Sequence, residues 1–229
     1  MSASRGITLR SIHRCVSHEM SATEFVVARH VETVWNREGR IQGHMDSPLT
    51  LEGIAQAKAL ANRLRGSRFD LLLSSDLGRA SATARYIAAE TGLTVVLDAR
   101  LRERHYGIFQ GMTRAEAQAA HPEIYRRYSE EDIAFAIPGG ESTQACFERS
   151  IGCLEELAVY RPGQRILVVT HGGVVDGLYR HTTGLPHVGS RVFTMVNGSL
   201  NEFLFERGTW HLKSWADIAH LAGNPLDDV

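Results

Sequence analysis

The sequence of 229 residues predicts an α/β sandwich built around a mostly parallel sheet. Short apolar segments of strand length alternate with longer segments whose apolar residues recur at helical spacing. Almost every residue of the short segments is apolar, which is typical of strands that helices cover on both faces. A different pattern closes the chain, where strand-like segments follow one another through turns. We therefore expect three layers, with an antiparallel hairpin at or near one edge of the sheet.

The individual elements follow from these patterns. The strands predicted to form the parallel part of the sheet are Glu24–Arg29, Asp70–Ser74, Thr94–Leu97 and Arg165–Thr170. Helices are predicted after Pro48 with Thr50 as N-cap, after a cap formed by Ser75 or Asp76, over Thr143–Val159, and from Gly172 to about Thr183. The closing strands are predicted at Arg191–Val196, Leu200–Phe205 and Thr209–Trp215, with turns at Asn197-Gly198 and Arg207-Gly208.

Two parts of the chain depart from the alternating pattern. Residues 1–18 contain three arginines, four serines and no acidic residue, which is the composition of a transit peptide, although we favour a translation start at Met20. Residues from about 104 to 140 contain short polar helices with Pro122 and Pro138. We expect the latter to form a small cap insertion over the carboxyl edge of the sheet, where such folds bind ligands. The prediction is an N-terminal extension at 1–22 followed by one domain at 23–229.

Composition excludes several classes of protein. The 25 basic and 26 acidic residues give a formal net charge of -1, so no basic excess indicates a nucleic-acid partner. No apolar run approaches the roughly 18 residues of a membrane-spanning helix. Three cysteines without a CxxC pair support neither a disulfide framework nor a zinc site, and they fit a reduced, cytoplasmic compartment. Eleven histidines direct attention to histidine chemistry.

Two histidines come directly after predicted strands, His30 after the first and His171 after the fourth. If these strands are parallel neighbours, both imidazoles emerge side by side at the carboxyl edge of the sheet. Arg29 precedes the first histidine, and Arg79 lies in the first turn of a helix, where free backbone N–H groups favour an anion. The Gly172-Gly173 pair allows the backbone to approach a bound anion closely. Together these residues predict a pocket for phosphate.

The same residues predict a mechanism. A neutral imidazole is a competent nucleophile toward phosphorus, and arginines neutralise the phosphoryl oxygens as the transition state forms. The leaving alkoxide then needs a proton, for which Glu103 is the candidate acid. From spacing alone, a surface glutamate among Arg100, Arg102 and Arg104 is the more common interpretation of Glu103.

Six motifs in order give the sequence a resemblance to the histidine phosphatase superfamily, in the branch that includes cofactor-dependent phosphoglycerate mutases. The motifs are Arg29–Asn36 (RHVETVWN), Gln42–Thr50 (QGHMDSPLT), Ser75–Ala84 (SDLGRASATA), Leu101–Gly107 (LRERHYG), Pro138–Ser142 (PGGES) and Val169–Gly173 (VTHGG). The resemblance covers nearly all of residues 24–220. Six ordered elements make it far more specific than a single motif.

The resemblance implies that His30 is the phosphorylated nucleophile and that Glu103 is the proton donor. The resemblance also implies that the phosphate or the substrate lies close to Gly172 and contacts six further residues, Arg29, Arg79, His171, Asn36, Gln42 and Gly43. It implies no metal and no cofactor, except 2,3-bisphosphoglycerate if the enzyme is a mutase. At position 31 the chain has valine where the family usually has glycine. We expect an ordinary backbone there; the alternative is a displaced loop that mis-aims His30.

We expect a phosphomonoester hydrolase that acts through a phosphohistidine on a small phosphorylated metabolite. The short interval between Glu103 and Glu141 favours a phosphatase, whereas Arg126 and Arg127 could bind an anionic substrate tail in a phosphoglycerate mutase. A third alternative is a non-catalytic binder of phosphorylated ligands in which Val31 has disabled the nucleophile. Aromatic residues of the closing hairpin could also form a homodimer contact; they are Phe203, Phe205, Trp210 and Trp215.

Overall fold

The computed structural model describes residues 21–130, 132–189, 191–223 and 225–227. Their core is one sheet of six strands. The strands are β1 (Thr23–Arg29), β2 (Leu71–Ser74), β3 (Val95–Leu97), β4 (Arg165–Thr170), β5 (Leu200–Glu206) and β6 (Thr209–Asp217). The predicted N-terminal extension lies almost wholly outside the described residues, which begin at Ser21.

The strands lie in the order β3-β2-β4-β1-β5-β6. The first four of these are mutually parallel, whereas β5 runs antiparallel to β1 and β6 runs antiparallel to β5. The β5–β6 hairpin turns at Arg207 and Gly208, as predicted. The expected mixed sheet with an edge hairpin is therefore confirmed.

Helices cover both faces of the sheet. In the described part of the chain they are α1 (Val34–Glu38), α2 (Leu51–Leu64), α3 (Gly78–Thr91), α4 (Arg114–Ala120), α5 (Pro122–Ser129), α6 (Thr143–Tyr160) and α7 (Gly172–Thr183). Alternate residues of β1 face opposite layers: Val26 and Ala28 pack toward α2 and α3, while Phe25 and Val27 pack toward α6 and α7. This gives the three layers that the apolar strands predict.

The pairing of β1 with β4 is the feature that builds the site. Arg29 lies opposite Thr170, and the His30 N–H donates to the Thr170 carbonyl at 2.9 Å. Because the two strands are parallel and in this register, His30 and His171 leave the sheet together at its carboxyl edge. The expectation that these strands are neighbours is confirmed.

One predicted strand is wrong. Arg191–Val196 is irregular, apart from a single bridge between Val196 and Asp227. Its polar backbone groups are used individually: the Thr194 carbonyl accepts from Trp215 Nε1 at 2.8 Å, and the Met195 N–H donates to the Asp227 carboxylate at 3.1 Å. These groups are therefore not available for a strand ladder, and the segment lines the site instead.

The predicted cap of α3 is also wrong. Thr50 caps α2 as expected, accepting the Gly53 N–H at 2.8 Å. The N-cap of α3 is Leu77, and its side chain makes no cap bond. The carboxylate of Asp46 reaches across from another loop and accepts the N–H groups of Gly78 at 2.6 Å and Arg79 at 3.2 Å. The free N–H groups expected at this helix start are thus bound by an anion of the protein itself.

Residues 104–140 form short helices, α4 and α5, beside a small apolar cluster. Phe109, Ala117 and Ile137 are its fully buried members. Among the aromatic side chains of the edge hairpin, Phe203 and Trp210 are buried in the main core and Trp215 is partly buried against it. The homodimer contact stays a prediction. Within the described ranges no helix is long and apolar enough to cross a bilayer.

Candidate active site

A cleft of about 930 Å³ opens at the carboxyl edge of the sheet. Its floor includes Arg29 at the end of β1 and His30 directly after it, and its wall includes residues of α7. The segment from 104 to 140 supplies the opposite wall, with Arg104, Tyr106 and Tyr128 among its side chains. The prediction of a ligand site beneath residues 104–140 therefore agrees with the position of the cleft.

The protonation of His30 follows from its two hydrogen bonds. Its Nδ1 lies 2.8 Å from the Val31 carbonyl, and a carbonyl can only accept, so Nδ1 carries the proton. Its Nε2 lies 3.2 Å from Arg79 Nε, which can only donate, so Nε2 presents a lone pair. Burial, with the charges of Arg79 and Arg29, holds the pKa of His30 well below its ordinary value. His30 is therefore neutral, with an unprotonated Nε2.

Arg79 connects the nucleophile to a neighbouring loop. Besides His30, its guanidinium donates to the carbonyls of Gly43 at 2.8 Å and Met45 at 2.9 Å, and to the Asp46 carboxylate at 2.9 Å. Burial lowers the pKa of this arginine, and the side chain is almost completely enclosed. The guanidinium is consequently held in a fixed position beside Nε2, where it places a positive charge at the cleft.

Arg29 lies on the other side of the floor. Its Nη1 donates to the Met195 carbonyl, and the side chain is buried. A Cβ at Gly172 would lie 3.5 Å from Arg29 Nε and 3.3 Å from the Met195 methyl group. A Cβ at this position would be in ordinary contact with the guanidinium and would need only a small shift of the Met195 side chain.

His171 faces His30 across the floor, with 5.3 Å between the two ring centroids. It is fully buried at the N-terminus of α7, and its Nε2 lies 2.7 Å from Ser75 Oγ. Burial, with the charges of Arg79 and His30, holds the pKa of His171 well below its ordinary value. The second histidine is thus also neutral in the free protein.

Glu103 is held by backbone groups on each carboxylate oxygen. Oε2 accepts the Gly173 N–H at 3.0 Å, and Oε1 accepts the Arg104 N–H at 2.8 Å. Its own carbonyl accepts from His44 Nε2 at 2.8 Å and Arg149 Nη2 at 2.9 Å. These contacts hold the carboxyl group at the cleft; its role as the proton donor stays a prediction.

The remaining predicted binding residues lie on the same cleft. Asn36 is in α1, where its Oδ1 accepts the Thr33 N–H at 3.0 Å in a capping box. Gln42 is buried, and its Oε1 has no hydrogen-bond partner among the described residues. Gly43 has φ +56°, and a Cβ there would lie 2.2 Å from Gln110 Oε1. The structure thus brings together the residues that the sequence nominated for catalysis and for binding the phosphate, and their individual roles stay predictions.

The valine at position 31 adopts an ordinary backbone. Among the described residues, the only non-glycine positions with positive φ are Arg207 and Ala216. The Val31 side chain is fully buried, and its N–H donates to Thr83 Oγ1 at 3.3 Å. Its carbonyl still accepts the His30 proton. The interpretation that only packing changes at position 31 agrees with this geometry.

Other residues of the site were not assigned a role from the sequence. Asp46 was within a recognised motif, but nothing local in the sequence shows that it caps a helix more than thirty residues away. Arg180 is buried, donates to Asp176 at 2.9 Å and also binds three carbonyls of the loop at 186–189. Arg126 and Arg127, considered for an anionic substrate tail, are not among the residues of the cleft. Arg126 pairs with Glu123 and Glu130 on the exposed face of α5.

The described residues contain no group of three or more His, Cys, Asp or Glu side chains that could hold a metal ion. The charged groups in the floor of the cleft are arginines, which match the oxygens of a phosphoryl group. The expectation that no metal takes part stays a prediction.

An α/β sandwich with two neutral histidines and two buried arginines at the ends of its central strands defines the class of phosphatase- and mutase-like enzymes that use histidine. Residues 25–218 match the profile of the histidine phosphatase superfamily (branch 1). The chain belongs to this superfamily. The resemblance seen in its motifs is confirmed.

Relatives within the superfamily carry different names. Phosphoglycerate mutase-like protein 4 of Arabidopsis thaliana is 40% identical over 209 residues, 90% of each chain. Metal-independent phosphoserine phosphatase of the same plant is 38% identical over 210 residues, 90% of this chain and 87% of the relative. The solved structure of YhfR from Bacillus stearothermophilus superposes with a TM-score of 0.81 at 29% identity, covering 87% of this chain and 99% of that one.

Proposed function

We propose that the protein is a phosphomonoester hydrolase that transfers the phosphoryl group of a small metabolite to His30 and then to water. The observation that carries this proposal is the unprotonated Nε2 of His30, fixed by the Val31 carbonyl and the Arg79 guanidinium. A ring held in this way needs no base to activate it, because the attacking nitrogen, Nε2, carries no proton.

In the first step, Nε2 of His30 attacks phosphorus, and the bond between phosphorus and the ester oxygen breaks. The leaving oxygen takes a proton from the carboxyl group of Glu103, so the product is an alcohol. Arg29 and Arg79 neutralise the phosphoryl oxygens throughout. In the free protein Arg79 Nε donates to the Nε2 lone pair of His30. When the substrate binds, Arg79 Nε donates to a phosphoryl oxygen instead.

In the second step, a water molecule attacks phosphorus and the P–N bond breaks. The Glu103 carboxylate takes a proton from the water, which restores the acid and regenerates the neutral histidine. The sum is one phosphomonoester and one water converted to one alcohol and one phosphate ion. Each group returns to its starting protonation state, so no additional reactant is needed.

The test is phosphate release from a panel of esters, with a chelator present. The panel contains an aryl phosphate, phosphoserine, 3-phosphoglycerate and several sugar phosphates. We expect phosphate release by the wild-type protein and none by His30→Ala with an unchanged circular dichroism spectrum. A quench of the wild-type reaction should trap an acid-labile, base-stable phosphoprotein. Retained turnover in His30→Ala would overturn the phosphohistidine mechanism.

The alternative is a phosphoglycerate mutase, which the name of one Arabidopsis relative favours. The positions of Arg126 and Arg127 give it no support, because Arg126 pairs with Glu123 and Glu130 on the exposed face of α5 and the Arg127 guanidinium lies over the Phe135 ring. Conversion of 3-phosphoglycerate to its isomer only after 2,3-bisphosphoglycerate is added, without net phosphate release, would establish the mutase instead.

A further inference from the structure

The Ser75 hydroxyl is the hydrogen-bond partner of the second histidine. Ser75 and His171 are both completely buried, and their atoms Oγ and Nε2 are 2.7 Å apart. The other ring nitrogen, Nδ1, is buried and has no hydrogen-bond partner among the described residues. A neutral imidazole carries one proton, so the position of that proton decides whether the free nitrogen donates or accepts.

The hydrogen bonds of Ser75 favour one of the two arrangements. Its Oγ already accepts the N–H of Leu77 at 3.3 Å. If it also accepted a hydrogen bond from a protonated His171 Nε2, the hydroxyl's own proton would be left buried without a partner. If Ser75 instead donates to Nε2, the hydroxyl accepts once and donates once, and every atom of it is satisfied. The first arrangement leaves two buried groups unpaired, the hydroxyl proton and the Nδ1 lone pair, whereas the second leaves only the Nδ1 proton unpaired. Because each unpaired buried group costs about 1–3 kcal/mol, the second arrangement is preferred.

We infer that Ser75 is a positioning residue which fixes the proton of His171 on Nδ1, so that this histidine offers a hydrogen-bond donor to the phosphoryl group. The inference rests on the proposed function, since it is the phosphoryl group that accepts this bond. The unpartnered Nδ1 of the free protein is then the group that binds it. A lone pair at the same place would repel the phosphoryl oxygens.

The two histidines of the site would then have the same tautomer but opposite roles. Both rings carry their proton on Nδ1. In His30 this N–H donates to the Val31 carbonyl, and the lone pair of Nε2 faces phosphorus. In His171 the lone pair of Nε2 accepts from the Ser75 hydroxyl, and the Nδ1 proton faces the phosphoryl group. The Ser75 hydroxyl and the Val31 carbonyl would therefore be enough to make one ring the nucleophile and the other the hydrogen-bond donor.

The direct test is a ¹⁵N NMR experiment on the imidazole nitrogens of the free wild-type protein, assigned with His171→Asn and His30→Asn. We expect His171 to be protonated at Nδ1 and unprotonated at Nε2. In Ser75→Ala we expect a shift of the proton toward Nε2. The matched control is Ser74→Ala: Ser74 is equally buried and donates to the Ser75 carbonyl at 2.8 Å. It should leave the His171 tautomer unchanged.

Kinetics give a second readout. Turnover of an aryl phosphate should fall about 10- to 100-fold in Ser75→Ala through kcat, because the donor is then lost from part of the population. Ser74→Ala should change it less than threefold. A proton on Nε2 of His171 in the wild-type protein would overturn the inference even if phosphate is released. No phosphate release by the wild-type protein would overturn the proposed function, and with it the role of the Nδ1 proton.

Discussion

The backbone of Gly173 lies directly against the carboxylate of Glu103. The amide of Gly173 donates to Glu103 Oε2 at 3.0 Å, and a Cβ at position 173 would lie 2.2 Å from Oε1. A carboxylate can come this close to the start of α7 only because the helix presents bare backbone there. The position of the candidate acid is consequently set by a residue that has no side chain.

Gly173→Ala should therefore displace the acid without disturbing the fold. We expect kcat for an alkyl phosphate to fall about 100-fold, a loss typical of a removed general acid. The control is Gly152→Ala in α6, where nothing lies within 4 Å of the added methyl group. It should keep full activity and gain about 0.5–1 kcal/mol of stability in urea denaturation. Full activity in Gly173→Ala would mean that Glu103 need not occupy its observed position.

Glu103→Gln tests the acid itself. A glutamine cannot give up a proton, so esters with poor leaving groups should suffer most. We expect a loss of about 100-fold or more for an alkyl phosphate and less than tenfold for an aryl phosphate, measured as kcat. Equal losses on the two esters would remove Glu103 from the role of proton donor.

Arg79→Lys tests the requirement for a guanidinium. Lysine keeps the charge but cannot bind the carbonyls of Gly43 and Met45 and Nε2 of His30 at once. We expect kcat/KM to fall about 100-fold or more. Arg126→Lys, on the exposed face of α5, is the matched control and should behave as wild type in the same assay. Equal activity of the two variants would show that charge alone suffices at position 79.

Val31→Gly restores the residue that is usual in the family. Because φ at position 31 is not positive, glycine should bring no gain in activity. It removes a fully buried side chain, so we expect a loss of about 2–4 kcal/mol in urea denaturation. Aryl phosphate turnover should stay within about threefold of wild type. A tenfold gain would indicate instead that valine mis-aims His30.

The two buried histidines should make stability depend on pH. Their pKa values lie well below 6.5 in the folded protein, chiefly because of burial. Below pH 6.5 the unfolded chain binds protons that the folded protein does not, so their contribution is complete above that pH and is lost as the pH falls. We expect the urea midpoint to decrease from pH 7 to pH 5, and to decrease less in the double variant His30→Asn/His171→Asn. An equal decrease would assign the effect to other groups.

The central part of the fold and the floor of the site could be predicted from the sequence because both are encoded locally. Apolar runs mark the strands, and a residue that directly follows a strand must lie at the edge of the sheet, which located both histidines. The capping of α3 by Asp46 could not be predicted, since it depends on where a separate loop returns. The irregular path of Arg191–Val196 was missed for a similar reason, because its backbone binds the distant Trp215 and Asp227.

The bond between the His30 amide and the Thr170 carbonyl continues the ladder between β1 and β4 and so joins the candidate nucleophile to the centre of the sheet. A nucleophile on a flexible loop would detach from its site by local opening, at a small fraction of the total unfolding free energy. Here the amide can exchange its hydrogen with solvent only when β1 and β4 separate, which requires the core to open. Thermal inactivation should accordingly coincide with global unfolding, and the His30 amide should rank among the slowest to exchange in the protein.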